Sequence, residues 1–217
     1  DMVNSTTLWM SPACVANPSL CTNGNKNCGA EPGVVNPIGC PGYRPEAVRI
    51  LVHITDAGDR PLNMPMWGGM GAPVGMGLGL AIAQPTKRVM VITGDGDMLM
   101  SLGSLATVAT QQPDNLAICV LDNEKFGETG NQATHTSPRN NGPTDSGAGT
   151  DLAMIAKGGG IADTGTVREA SQVAQLVKDL RTAKGPVFRL VKVMVEKLEF
   201  VMPPQDGAHL KDRFRQA

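Results

Sequence analysis

The stretch VITGDGDMLMSLGSLATVATQQPDNLAICVLDNEKFG, residues 91–127, decides how this chain folds. Two short apolar runs, RVMVIT at 88–93 and LAICVL at 116–121, have the composition of strands buried on both faces of a parallel sheet. Between them, residues 98–110 carry apolar side chains at helical spacing. A strand, a helix and a second strand in so short an interval form a parallel crossover unit, which is nearly always right-handed.

The alternation of strands and helices continues on both sides of this unit. Helices are predicted over 73–83, 152–157 and 168–183, and a further strand within 185–196. The segment PEAVRILVHI at 45–54 fits a helix, or a helix that runs into a strand. This alternation predicts a three-layer α/β domain over residues 44–200, doubly wound around a mostly parallel sheet. Residues 201–217 are interpreted as a C-terminal tail.

A polar corner follows each of the two central strands. Because ligands bind at the carboxyl ends of parallel strands, Gly94-Asp95-Gly96 and Asp122-Asn123 are expected on one rim of the sheet. The glycines let the backbone turn sharply and approach a ligand. A helix that begins near Met98 would point its N-terminus at the same place, which suits a diphosphate. Either corner alone would more often be an ordinary turn.

The spacing of the two corners resembles the thiamine diphosphate motif, in which GDG is followed by a similar interval and then Asn. Residues 97 to 122 separate the two parts here. The resemblance implies that Asp95, Asn123 and the main-chain carbonyl of Lys125 bind Mg²⁺, an ion that prefers oxygen ligands. It also implies that Gly94 and Gly96 approach the cofactor. The N–H groups of Asp97 and Met98 would bind its diphosphate, although Asp97 replaces the usual Ser and adds a negative charge there.

An upstream segment, WGGMGAPVGMGLGLA at 67–81, resembles the glycine-rich stretch of the same enzymes. By position, Met70 is the bulky aliphatic residue that holds the cofactor in its bent form. The carbonyl of Gly68 and the N–H of Met70 would then bind the pyrimidine edge. Without the family, a Met among glycines is more often a packing residue.

Three segments, MWGGMG, GDGDMLMSLGSLAT and LDNEKFGETGNQATHT, are similar to a small decarboxylase group that includes sulfopyruvate and phosphonopyruvate decarboxylases. The likeness covers about residues 44–217 and implies non-oxidative decarboxylation of a small anionic 2-oxo acid. His135 is a candidate for proton transfer, since histidine titrates near neutral pH. An ordinary exposed histidine is the alternative. Glu128, Thr129 and Arg139 are weaker candidates.

Thiamine diphosphate enzymes also need a glutamate on a separate pyrimidine-binding domain, and this chain is expected to carry only the diphosphate-binding domain. The resemblance therefore implies a partner subunit that supplies the glutamate, within a hetero-oligomer. Two other functions stay open. One is a β-type subunit of a 2-oxoacid oxidoreductase with an iron–sulfur centre, and the other is a non-catalytic cofactor-binding domain.

Residues 1–43 differ from the rest of the chain and are interpreted as an irregular N-terminal appendage rich in Cys, Pro and Gly. Its cysteines are Cys14, Cys21, Cys28 and Cys40, whose spacing lacks the tight pairs of most metal sites. Metal binding, two disulfides or free thiols all remain possible for them. Cys119, inside LAICVL, is expected to be an inert core residue.

The composition limits the partners. The formal net charge is −1 and no basic block occurs, so neither nucleic acid nor a membrane surface is an expected partner. No apolar run reaches the length of a membrane span, and no signal-peptide pattern is present, so a cytoplasmic location is expected.

Overall fold

The computed structural model describes residues 48–52, 62–66, 68–138, 149–195, 204 and 206–216, with the backbone alone for 48–52 and Glu128. Its strands are β1 (Val48–Val52), β2 (Asn63–Pro65), β3 (Arg88–Gly94), β4 (Leu116–Asp122), β5 (Lys125–Phe126), β6 (Gln132–Ala133), β7 (Asp163–Val167) and β8 (Val187–Lys192). Its helices are α1 (Pro73–Ala83), α2 (Asp95–Leu99), α3 (Leu102–Gln111), α4 (Leu152–Gly158), α5 (Val173–Thr182) and α6 (Gly207–Gln216).

Within the described residues, six strands form one sheet in the order β2-β1-β3-β4-β8-β7, and every neighbouring pair is parallel. The strands β5 and β6 form a separate antiparallel hairpin. In the sheet, Gly94 lies opposite Leu121, and Asp122 lies opposite Lys192. The ends of β3, β4 and β8 therefore meet at one rim, as expected for parallel strands.

The central strands are buried on both faces, which produces two apolar cores. One core joins α1, α3 and α4 to the sheet through residues such as Leu78, Leu105 and Phe188. The other joins α5 to the opposite face through residues such as Leu176 and Cys119. Because successive side chains of a strand point to opposite faces, each central strand serves both cores. The predicted three-layer fold is confirmed.

The helix predicted over 98–110 was wrong in its extent. The structure has α2 directly after β3 and then α3, with Met100 and Ser101 between them, and Ser101 has a non-helical φ of −133°. The apolar spacing runs through both helices, and neither Gly nor Pro marks the break. Hydrophobic periodicity alone therefore gave no sign of it.

Two edge strands and one helix were missed. Strand β7 has only one buried residue, Val167, and β2 is a three-residue edge strand that ends in Pro65. The segment interpreted as a tail contains α6, where Leu210 is 7% exposed and the Arg213 guanidinium donates to the Asn63 carbonyl at 2.9 Å. Short, half-exposed elements carry little apolar pattern, so sequence reading does not detect them.

The appendage of residues 1–43, its four cysteines, His53 and Arg139 lie outside the described residues. In the part of the chain that is described, no helix combines the length and apolar character that a membrane crossing needs.

Candidate functional site

The candidate site lies at the rim where β3 and β4 end. Since Gly94 pairs with Leu121 in the sheet, the residues that follow, Asp95 and Asp122, leave the sheet side by side. Thr136 confirms their proximity, because its Oγ1 lies 3.0 Å from Asp95 Oδ2 and 2.8 Å from Asp122 Oδ1. The two polar corners predicted from the sequence are thus brought together.

Asp95 is a buried carboxylate, with only 2% of the residue exposed. The hydroxyls of Thr134 and Thr136 both donate to Oδ2. Burial raises the pKa of Asp95, and the charge of Asp122 raises it further, although the hydrogen bonds from both threonines oppose this change. A cation at this place would offset the burial of a carboxylate beside a like charge. The donor set is therefore suited to a metal ion.

The carboxylate of Asp97 accepts hydrogen bonds from two neighbouring donors. Its Oδ1 accepts from the N–H of Gly71, and its Oδ2 accepts from the hydroxyl of Thr93, a fully buried residue of β3. The residue itself is 3% exposed. This carboxylate ties the glycine-rich turn around Met70 to the first turn of α2. The extra negative charge noted in the sequence thus has a structural role.

The glycines of the first corner have different backbone geometries. Gly94 has an extended backbone, with φ −89° and ψ 165°, and Gly96 lies inside α2, so the chain passes directly from β3 into the helix at this corner. That these glycines approach a cofactor stays a prediction. The requirement at Gly96 is steric, because an added Cβ would lie 2.6 Å from Cε1 of Phe126. Phe126 of β5 therefore packs directly on α2, and this contact fixes the hairpin against the rim.

The second corner bends tightly after β4. Asn123 Oδ1 accepts the N–H of Lys125 at 3.0 Å, and Asp122 Oδ1 accepts the N–H of Glu124 at 3.2 Å. Glu124 has a positive φ of 62°, which costs a non-glycine residue some backbone strain. These side-chain bonds hold Asn123 and Lys125 in a fixed turn beside Asp95. Their role as metal ligands stays a prediction.

The glycine-rich turn presents Met70 to the outside. Gly68 and Gly71 have φ values of 76° and 85°, a region that glycine enters without steric cost. Met70 between them is 42% exposed. The Asp97 bond to Gly71 places the turn that carries Met70 next to the first turn of α2.

A buried cation supports the rim from β8. Lys192 Nζ lies 2.7 Å from Asp122 Oδ2 and 2.8 Å from Glu124 Oε1. Burial favours the neutral amine, but the hydrogen bonds and charges of Asp122 and Glu124 together outweigh it and raise the pKa of Lys192. Asp122 is therefore contacted by three segments of the chain, through the Glu124 N–H, the Thr136 hydroxyl and Lys192.

The hydrogen-bonding residues Asp122, Glu124, Thr134, Thr136 and Lys192 were not identified as site residues from the sequence. For Thr134 and Thr136, the available signal in the sequence was the Thr-His-Thr pattern at 134–136, which flanks the candidate His135 on both sides. His135 itself is exposed, as is Thr129. Cys119 is buried, which raises the pKa of its thiol to about 12 and confirms its inert character.

Among the described residues, no three or more His, Cys, Asp or Glu side chains form a metal-binding group. A metal at this rim would therefore need other oxygen ligands, such as the Asn123 amide, a main-chain carbonyl and the oxygens of a bound phosphate. The side chains present at the rim fit such a site and do not fit an all-protein metal cage.

Comparison with known proteins agrees with this geometry. A family model described as "Thiamine pyrophosphate enzyme, C-terminal TPP binding domain" matches residues 47–191. The chain is 37% identical over 154 residues to the sulfopyruvate decarboxylase subunit beta of Methanocaldococcus jannaschii, a match that covers 71% of each protein. It is 41% identical over 156 residues to the same subunit of Methanothermobacter thermautotrophicus, a match that covers 72% of this chain and 75% of that one.

A solved structure shares the fold. The Rhodococcus jostii RHA1 thiamine diphosphate-dependent 4-hydroxybenzoylformate decarboxylase superposes with a TM-score of 0.54 at 20% identity. The match covers 71% of this chain but 31% of that structure, so the shared fold is one part of that longer protein.

Proposed function

Because this chain belongs to the thiamine pyrophosphate enzymes, whose C-terminal TPP binding domain it carries, we propose that it is the thiamine diphosphate- and Mg²⁺-binding subunit of a non-oxidative decarboxylase. Its substrate would be a small anionic 2-oxo acid, similar to sulfopyruvate or phosphonopyruvate. The observation that carries the proposal is the buried Asp95, which lies beside the Asp122-Asn123 corner within the region that the family model matches.

The residues at the rim have complementary tasks in this proposal. Asp95 and Asn123 would hold Mg²⁺ through a carboxylate and an amide oxygen, and the carbonyl of Lys125 would add a third oxygen. The ion would remove the electrostatic penalty that burial places on Asp95. The N–H group of Asp97, in the first turn of α2, has no acceptor within the helix and would bind the diphosphate together with that of Met98.

The remaining residues would orient the cofactor and move protons. Met70, exposed on its turn, would support the cofactor ring, while the carbonyl of Gly68 and the N–H of Met70 bind the pyrimidine. When bound, thiamine diphosphate supplies the electron sink that allows a 2-oxo acid to lose CO₂. His135 would then transfer a proton at the carbon that CO₂ leaves, so that an aldehyde is released.

A partner subunit would complete the site. Of the glutamates whose side chains are described, Glu124 pairs with Lys192 and Glu169 caps a short 3₁₀ turn. Both are engaged in structural contacts, which supports a partner as the source of the glutamate that activates the pyrimidine ring. The name of the relatives, subunit beta, is consistent with such a pair. The assembly is proposed to be a hetero-oligomer in the cytoplasm.

An assay of the purified complex tests this function. The complex is incubated with Mg²⁺, thiamine diphosphate and either sulfopyruvate or phosphonopyruvate, and CO₂ and aldehyde are measured. Replacing His135 by Ala is expected to lower the rate roughly 10²- to 10⁴-fold, the usual contribution of a positioned acid or base. His209→Ala, at an exposed position of α6, is the matched control and should be neutral.

Two outcomes would contradict the proposal. If neither acid released CO₂, the proposed class of substrate would be wrong. Release of CO₂ that depends on an added electron acceptor, with visible absorbance from an iron–sulfur centre, would favour the oxidoreductase alternative.

A further inference from the structure

The segment Thr134-His135-Thr136 alternates between buried and exposed residues. Thr134 and Thr136 are 4% and 3% exposed, whereas His135 between them is exposed. His135 and Thr136 are the central residues of a turn, in which the Ser137 N–H donates to the Thr134 carbonyl at 3.2 Å. The two hydroxyls face the carboxylates of the rim, and the imidazole faces outward.

The two hydroxyls do not have enough protons for all their contacts. Thr134 donates to Asp95 Oδ2, and Thr136 lies within hydrogen-bond distance of Asp95 Oδ2, Asp122 Oδ1 and the Thr134 hydroxyl, at 3.0, 2.8 and 2.8 Å. A hydroxyl carries one proton, so Thr136 donates to one carboxylate at a time. A cation on Asp95 would leave that proton for Asp122. The hydrogen-bond arrangement can therefore adapt to a metal without moving the backbone.

The backbone on either side of His135 is anchored to the same rim. The N–H of Thr134 donates to the carbonyl of Glu124 at 3.0 Å, and the N–H of Thr150 donates to the carbonyl of His135 at 2.7 Å. These backbone bonds fix the position of His135, and the side chains of its two neighbours contact Asp95.

We infer that Thr134 and Thr136 are positioning residues that couple the metal site to His135. They orient the Asp95 carboxylate through Oδ2, so that Oδ1 faces the ion, and they fix the distance of His135 from that ion. Metal binding at Asp95 and ordering of the segment 132–138 are thus one event. This inference rests on the proposed function, because it assumes that Asp95 binds Mg²⁺.

Calorimetric titration of Mg²⁺ in the presence of saturating thiamine diphosphate tests the inference on the complex of this chain with its partner subunit. Thr136→Val keeps the shape but removes the hydroxyl, and we expect its affinity for Mg²⁺ to fall about 10- to 100-fold, the usual effect of losing a residue that supports a metal ligand. Thr136→Ser keeps the hydroxyl and should restore the affinity. Thr110→Val is the matched control, since this exposed hydroxyl of α3 bonds only to the Ala106 carbonyl, at 2.9 Å.

Hydrogen exchange on the wild-type protein provides a second test that needs no variant. Mg²⁺ and thiamine diphosphate should slow amide exchange over 132–138 more than over the distant strand β7. Binding without protection of 132–138, or wild-type Mg²⁺ affinity in Thr136→Val, would overturn the inference while the proposed function stands. A wild-type protein that binds no Mg²⁺ with thiamine diphosphate would contradict both.

Discussion

At the scale of single residues, two carboxylates two positions apart in α2 have different tasks. Asp95 bonds to threonines that lie 39 and 41 positions further along the chain, whereas Asp97 bonds to Gly71, 26 positions earlier. The sequence predicted Asp95 as a site residue from a short motif. It did not predict these partners, because hydrogen bonds over such separations depend on the completed fold and leave no local pattern.

Replacing Asp97 by Ser tests the link to the glycine-rich turn. Asp97 contacts Gly71 and Thr93 with separate oxygens, and the shorter Ser side chain cannot reach both positions, so the turn that carries Met70 loosens. Loss of a hydrogen bond to a charged group is worth roughly 1.5–3 kcal/mol, so we expect the affinity for thiamine diphosphate to fall at least about tenfold at saturating Mg²⁺. Asp212→Asn, at an exposed position of α6, is the control. Unchanged affinity in the Ser variant would show that the Asp97 carboxylate does not hold the turn.

Replacing Gly96 by Ala tests the steric role of this glycine. The new Cβ would lie 2.6 Å from Phe126 Cε1, and relief of such overpacking costs about 1–3 kcal/mol, which chemical denaturation can measure. Gly79→Ala, on the exposed face of α1 with nothing within 4 Å of the added Cβ, should instead stabilise by roughly 0.5–1 kcal/mol. Equal effects of the two changes would exclude the steric explanation.

At the scale of elements, the rim is held together by contacts between strand ends. Lys192 is the last residue of β8 and pairs with Asp122, the last residue of β4, directly across the sheet. Glu124, just beyond β4, completes the cluster. These charges connect the central strands at the point where the polar corners leave them, so a stable rim depends on β8 as well as on β3 and β4.

Replacing Lys192 by Met should be strongly destabilising, because Asp122, with 0% of its side chain exposed, would lose its cationic partner. Removing one partner of a buried pair costs about 3–5 kcal/mol. Lys184→Met is the matched control, since Lys184 pairs with Asp114 where the side chains are 80% and 65% exposed, and such pairs contribute about 0–1 kcal/mol. Equal loss of unfolding free energy in both variants would contradict this account.

The pH dependence of the Lys192 contribution follows from the raised pKa of this group. A raised folded-state pKa means that the stabilisation is complete below the unfolded-state pKa of about 10.4 and is lost as the pH rises through the folded-state value. In denaturation measured from pH 8 upward, the difference in unfolding free energy between wild type and Lys192→Met should therefore stay constant up to about pH 10.4 and shrink at higher pH. A constant difference across the whole measured range would contradict the assignment.

The elements that the sequence predicted well are those with strong patterns. Strands β3 and β4 contain continuous apolar runs, β8 is mostly apolar with Arg189 and Lys192 in it, and α1 was predicted with its observed bounds, Pro73–Ala83. The break between α2 and α3 was missed because leucines continue at helical spacing across it. The hairpin of β5 and β6 was missed because its four residues are too few to carry a period.

At the scale of the whole molecule, the parallel sheet explains why two distant corners form one site. The crossover from β3 through α2 and α3 to β4 returns the chain to the same rim, so its length is set by the fold. The alternation of strands and helices predicted the fold class, and the resemblance of the two corners to the thiamine diphosphate motif indicated the family. The support from β8 and from Thr134 and Thr136 was not predicted, because it arises only when the separate segments are packed together.

Titration of thiamine diphosphate into the complex with the partner subunit, at saturating Mg²⁺, tests the central claim most directly. Wild type and the control Asp114→Asn, at an exposed position away from the rim, should give saturable binding. Asp95→Asn keeps the shape of the side chain and its hydrogen-bonding oxygen but removes the charge, so we expect no measurable binding. Binding of equal strength in Asp95→Asn and wild type would contradict the account.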